Sequence, residues 1–228
     1  MFIIFDLDDT LIDTSEFITP FKLERALYRM VEEGLELENF SIALDLLLQL
    51  DKKSESAKSA LEEFVEINGF HEKFVPIALK EIYHVFSDET PVFPVADAVE
   101  VLSGLSNEHK MAIVSVGSLE FQMWKLKKAG IDSSFFCKIF ILEERDKKKY
   151  YQSLIQEMNL SPEEVVVCGD RIAIDLVPAK QLGCTTIHMK KGRGLYSLER
   201  AHEVDFTITA LSQIKKVLLD MSNKVSFD

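Results

Sequence analysis

The sequence predicts an α/β fold, a Rossmann-like parallel sheet flanked by helices, with an all-helical domain inserted near its start. Three patterns predict it. Short β-favouring apolar runs recur along the chain and end abruptly in polar residues. Stretches with period-3.6 apolar spacing alternate with them, and one long segment has helical spacing throughout and no strand pattern.

The first strand covers residues 2–5, FIIF, and stops at Asp6-Leu7-Asp8-Asp9-Thr10. A run that is apolar at every position, rather than alternating, is what a parallel strand covered on both faces requires. Residues 13–90 follow without a credible strand. Helical spacing covers 16–33, 37–50, 56–67 and 71–86, separated by Gly34, by residues 51–55 and by Gly69. Four amphipathic helices of this kind pack on one another as a domain of their own. Pro91 and Pro94 mark the return, and a helix at 95–105 leads to the second strand, 111–114, which ends in Ser115-Val116-Gly117. From there the alternation is regular. Helix 119–129 precedes strand 138–142, helix 148–158 precedes strand 165–168, and helix 172–182 precedes strand 185–189, with Gly130 and Gly183 placed as helix C-caps. The expected division is residues 1–12 with 91–228 for the sheet domain and 13–90 for the helical one. Open parallel sheets bind ligands at the C-terminal ends of their strands, so the polar residues found there are the candidates for chemistry.

The 228 residues are 47% hydrophobic and 10% aromatic, ample for a packed core. Lys and Arg number 26 against 38 Asp and Glu, a formal charge of −12, with no basic patch to offset it. That balance argues against nucleic acid or anionic lipid as partner. No apolar run approaches the roughly 18 residues of a membrane span. The amino-terminal segment lacks a basic region and a cleavage site, so a cytoplasmic location is expected. Cys137, Cys168 and Cys184 are odd in number and form no CxxC pair, which fits a reducing compartment better than disulfides or zinc. The five histidines show no metal spacing, and neither a Walker A loop nor GxGxxG is present.

Asp6 and Asp8 are the sharpest signal. Two carboxylates two residues apart on an extended chain point to the same side and repel each other at a buried strand end unless a cation or proton lies between them. Oxygen donors favour Mg²⁺ over Zn²⁺. An isolated D-x-D is ordinary turn punctuation, but Asp170 and Asp175 add carboxylates after another strand and Ser115 a hydroxyl after a third. Of Lys147, Lys148 and Lys149, which open the next helix, Lys147 leads directly into the segment bearing Tyr150 and Tyr151. Lys148 is the alternative.

In this order, FIIFDLDDTLI, MAIVS, a lysine before a helix and VVVCGDRIAIDL resemble the four motifs of the haloacid dehalogenase-like (HAD) hydrolase superfamily. The helical insertion after the first motif is similar to that family's C1-type cap. The resemblance implies a Mg²⁺-dependent phosphatase acting on a small phosphorylated metabolite. Asp6 would be the nucleophile that forms an aspartyl-phosphate, and Asp8 the general acid and then base. Asp6, Asp8 (through its backbone carbonyl), Asp170 and Asp175 would hold the metal, while Ser115 and Lys147 would bind the phosphoryl group. Dehalogenases of the family lack a carboxylate at the position of Asp8, which points to phosphate ester cleavage. Two departures stand out: Val116 replaces the usual Asn or Thr, and the Lys-Pro of the third motif is missing. A phosphosugar mutase and a slow-turnover binding module are the alternative readings. A Schiff-base lysine of the phosphonatase kind would have Lys22 as its candidate, although a solvated ammonium on a helix surface is the expectation for it.

Counting formal charges, the four aspartates and one lysine give −3, and Mg²⁺ raises this to −1. Residues 13–90 hold 17 acidic and 8 basic side chains, a net of −9, leaving −3 for the rest of the chain. The expected consequence is that the helical domain disfavours polyanionic substrates. A kinetic comparison of mono- and bisphosphorylated forms of one sugar should therefore favour the monophosphate, and efficient turnover of the bisphosphate would contradict the expectation.

Overall fold

The computed structural model describes residues 1–196 and 202–225. The chain divides into two compact units, one formed by residues 1–13 with the described residues from 92 onward, the other by residues 14–91.

The chain opens with β1 (Phe2–Phe5) and then enters the helical unit, α1 (Thr19–Glu32), α2 (Phe40–Lys53), α3 (Ala57–Ile67) and α4 (Phe74–His84). Here α1 packs on α4 and α2 on α3. Leu23, Leu27, Met30, Leu47, Leu61 and Phe64 are buried in the shared core. The helix starts have local causes. The Asn39 side chain accepts a hydrogen bond from the Ile42 amide at 3.1 Å, and the Ser56 hydroxyl one from the Ser59 amide at 3.1 Å, each satisfying an amide that has no partner within the helix.

The sheet unit continues with α5 (Ala98–Ser106), β2 (Lys110–Val116), α6 (Leu119–Lys128), β3 (Lys138–Leu142), α7 (Lys148–Glu157), β4 (Val165–Gly169), α8 (Val177–Gln181), β5 (Thr185–Met189), β6 (Phe206–Ile208) and α9 (Ile214–Val225). Its six strands lie in the order β3-β2-β1-β4-β5-β6, and every pairing is parallel. This is the Rossmann-like order, with the direction of winding reversing between β1 and β4. Phe2, Ile4, Val165 and Val167 on one face of the central strands join Tyr151 and Leu154 of α7 and Ala179 of α8 in one apolar cluster. Ile3, Phe5, Val166 and Cys168 on the other face are equally buried. Coverage on both sides is why these strands read as continuous apolar runs.

Three local features differ from the sequence expectation. Ser115 lies within β2 rather than beyond its end, because the strand extends to Val116 and pairs with Leu142. The helix expected at 172–182 begins as a wide π-turn, Ile172–Leu176, in which the Val177 amide reaches back to the Ile172 carbonyl. Pro178 follows at once, and its ring would collide with the carbonyl four residues earlier in a regular helix, so the wider turn gives it clearance. A second π-turn, Thr14–Ile18, likewise precedes Pro20. Finally, β6 and α9 lie beyond the elements expected from the sequence: a three-residue strand is too short to show a period, while α9 does show one in Ile214, Val217, Leu218 and Met221.

Candidate active site

The site grows out of strand register. Phe5 of β1 pairs with Ile113 of β2 and with Cys168 of β4, so the residues just beyond, Asp6, Ser115 and Asp170, reach the same edge of the sheet. The Asp6 amide extends the pairing by one bond, donating to the Cys168 carbonyl at 2.9 Å. Asp175 arrives from the π-turn after β4. Its carboxylate accepts from the Arg171 amide at 2.9 Å and lies over Gly169, where a Cβ would sit 2.5 Å from that of Asp175. Only glycine leaves that room.

Asp6, Asp170 and Asp175 are buried, and each offers an oxygen within 4.8 Å of the others. Lys147 is buried with them and donates to Asp6 Oδ1 and Asp175 Oδ1, both at 2.6 Å. Lys148 points elsewhere, to Gln181 Oε1 at 2.9 Å. The Asp170 backbone carbonyl shares a 3.0 Å hydrogen bond with Nε2 of His188, a buried residue of β5. Burial raises Asp6 to about 6 against the counter-pull of Lys147, with Asp175 and Asp8 adding to the rise. Burial, and then the Asp175 and Asp6 charges, hold Asp170 well above the usual carboxylate range. Burial pulls Lys147 the other way, but the charges of Asp175 and Asp6 outweigh it and keep the ammonium well above the ordinary lysine value.

Asp8 has different company. Its Oδ2 accepts from Gln122 Nε2 at 2.8 Å, and its Oδ1 is paired with Lys125 Nζ. Gln122 also reaches the Ser115 hydroxyl at 3.4 Å and the Val116 carbonyl at 2.9 Å. Val116 thus enters through its backbone. The sequence reading missed Gln122 and Lys125, although a signal exists. They are three residues apart on α6 and both buried, where the helix period calls for apolar residues, so two polar groups there need partners.

Lys125 alters the charge count. Four aspartates against Lys125 and Lys147 give a formal −2, which one divalent cation would bring to zero. Three buried carboxylate oxygens in close reach and a deficit of two charges fit a hard divalent cation. The Asp8 carboxylate lies outside this triplet. Lys22 is buried in the helical unit rather than solvated on its surface, because its ammonium donates to the carbonyls of Glu81 (3.3 Å) and Val85, a structural use. Lys191, in the Lys-Lys-Gly-Arg-Gly loop, pairs with Asp13 at 2.8 Å.

Residues 1–183 match the family model described as haloacid dehalogenase-like hydrolase. Glyceraldehyde 3-phosphate phosphatase of Methanocaldococcus jannaschii is 27% identical over 96% of this chain and 97% of its own. The protein of the same name from Pyrococcus furiosus is 27% identical over 95% of this chain and 92% of its own. Among solved structures, a Haemophilus somnus protein predicted to be a phosphoglycolate phosphatase superposes with a TM-score of 0.73 at 17% identity, covering 95% of this chain and 97% of that one. The Bacillus subtilis HAD-hydrolase YfnB, solved bound to magnesium, gives 0.68 at 17% identity, again covering 95% and 97%. Both superpositions speak to the fold. Among the described residues no helix is long and apolar enough to cross a membrane.

The electrostatics carry a testable pH dependence. Asp6 binds its proton more tightly folded than unfolded, so the stability from its protonated form is complete below about pH 4 and is lost as the pH rises through about 6. A divalent cation bound at the cluster would compete with protons for the same carboxylate oxygens. Thermal denaturation should therefore show a larger Mg²⁺-induced rise in Tm at pH 7.5 than at pH 5, about 2.7 kcal/mol or roughly 5–10 °C at a hundredfold excess over Kd. A shift independent of pH would contradict this.

Proposed function

The chain belongs to the haloacid dehalogenase-like hydrolase family, and from that premise we propose that it is a Mg²⁺-dependent phosphatase of small phosphate monoesters. One observation carries the reading: Asp6, Asp170 and Asp175 converge with Lys147 where the winding of the sheet reverses. Such a cluster is suited to holding a cation against a dianionic ester, and positioning with charge stabilisation is most of what phosphoryl transfer requires.

The cation would be held by Asp6, Asp170, Asp175 and the Asp8 backbone carbonyl, and when bound it would supply the charge that lets an anionic nucleophile meet a phosphate. The remaining work falls to the chain's own side chains. Lys147 keeps Asp6 oriented and adds positive charge beside the incoming phosphoryl oxygens. The Ser115 hydroxyl donates to one of those oxygens. An Asp6 carboxylate oxygen attacks phosphorus, the bond from phosphorus to the ester oxygen breaks, and Asp8 delivers a proton to the departing alkoxide. Asp8 then takes a proton from a water that attacks the phosphorus of the aspartyl-phosphate, releasing inorganic phosphate and restoring Asp6. Each proton given is recovered.

For the substrate, the relatives named glyceraldehyde 3-phosphate phosphatase make a triose phosphate the first candidate, ahead of phosphoglycolate, other sugar phosphates and nucleotides. A panel of phosphorylated metabolites scored by kcat/KM tests this. The same assay with an aryl phosphate should show activity that EDTA abolishes and Mg²⁺ restores, and Asp6→Asn should lower kcat by about 10³-fold or more. Full activity in Asp6→Asn, or indifference to EDTA, would overturn the mechanism.

A further inference from the structure

We propose that Gln122 and Lys125 of α6 form a clamp that positions the Asp8 carboxylate for proton transfer; the inference rests on the acid–base role of Asp8 argued above. The two residues engage different oxygens of the same carboxylate, Gln122 Nε2 on Oδ2 at 2.8 Å and Lys125 Nζ on Oδ1. Two donors on two oxygens fix both the direction and the rotation of a carboxylate, as one donor cannot.

The direction of approach matters as much as the bonds. The Lys125 side chain is 3% exposed and that of Asp8 30%, so the clamp grips from the buried side of a carboxylate that stays partly exposed. Lys125 is held in turn, with its ammonium 5.0 Å from the centroid of the Phe121 ring. Gln122 is oriented by three acceptors, Asp8, Ser115 and the Val116 carbonyl. It can come this close because residue 117 is glycine, where a Cβ would lie 2.9 Å from Nε2. The amide is also used at a cost. Among the described residues its Oε1 is buried without a hydrogen-bond partner, and Lys125 is a lysine buried on a helix face that an apolar side chain would fill more cheaply. A site optimised for stability alone would not keep such a pair. The two residues touch neither the Asp6–Asp170–Asp175 cluster nor Lys147 in any of these bonds, which makes them positioning residues rather than catalytic ones.

The clamp predicts a specific kinetic signature. Protonation by Asp8 matters for an alkoxide leaving group and little for p-nitrophenolate. In Lys125→Met and Gln122→Leu, chosen to keep volume, single-turnover alcohol release from an alkyl phosphate should fall about 10- to 100-fold, part of the ~10²–10⁴ that a general acid contributes. Release from p-nitrophenyl phosphate should change less than about threefold, and the Mg²⁺-induced Tm shift should be unaltered. Lys125→Arg, which keeps the charge and the donors, should recover most of the alkyl phosphate rate. Asp8→Ala, run in parallel, should show the same asymmetry more strongly. If Asp8→Ala is asymmetric while the α6 variants slow both esters equally, or neither, the clamp is refuted and the mechanism stands. An Asp8→Ala enzyme that lacks the asymmetry would remove the acid–base role itself.

Discussion

The mutual repulsion of Asp6, Asp170 and Asp175 is the constraint on which the rest of this structure depends. Three carboxylates within 4.8 Å of one another, all buried, are a costly arrangement, and one buried lysine offsets only part of their charge. Two consequences follow from the chain as it stands. Asp6 and Asp170 are driven toward their protonated forms, and a divalent cation becomes the complement the site is short of. Stability and function therefore pull in different directions here, as they commonly do at sites built to bind a charge the polypeptide lacks.

A parallel sheet solves the geometric half of this problem. Charges that would be far apart in sequence, at positions 6, 170 and 175, arrive together because β1 and β4 are neighbours and end at the same level. Close packing then sets the detail. Gly169 lets the Asp175 side chain fold back over β4, the π-turn ahead of Pro178 carries Asp175 to that spot, and the Arg171 amide fixes its second oxygen. The Asp8 arm is built separately, from α6, and carries its own balancing lysine. Four aspartates thus divide by their company: Asp6, Asp170 and Asp175 cluster with Lys147, whereas Asp8 is held by Gln122 and Lys125.

Much of this was legible in the sequence because strand ends announce themselves. An apolar run such as FIIF or VVVC, β-favouring and bounded by turn residues, suits a strand covered on both faces, and the aspartates directly after it then emerge at the sheet edge. The choice of Lys147 over its neighbours was less secure on sequence grounds, since three consecutive lysines share one composition, and only helix phase decides which turns inward. Gln122 and Lys125 escaped notice for a different reason. A lysine on an amphipathic helix ordinarily runs its stem along apolar surface and keeps its charge in water, so burial of the ammonium against Asp8 depends on tertiary contacts 117 residues apart in the chain. The three-residue β6 is too short to show a period, whereas Ile214, Val217, Leu218 and Met221 of α9 keep helical spacing that the sequence reading missed; the π-turns ahead of Pro20 and Pro178 are not encoded in apolar spacing.

The central claim is that Asp6 accepts the phosphoryl group. Rapid acid quench of the Asp8→Ala protein with Mg²⁺ and an aryl phosphate, followed by peptide mass spectrometry, tests it most directly, because loss of the hydrolytic base should let the covalent species accumulate. The expected result is the added mass of one phosphoryl group on the peptide carrying residues 1–10, localised to Asp6 and absent in the Asp6→Asn, Asp8→Ala double variant. A phosphoryl group on any other residue, or phosphate release from Asp8→Ala with no adduct at any time point, would contradict it.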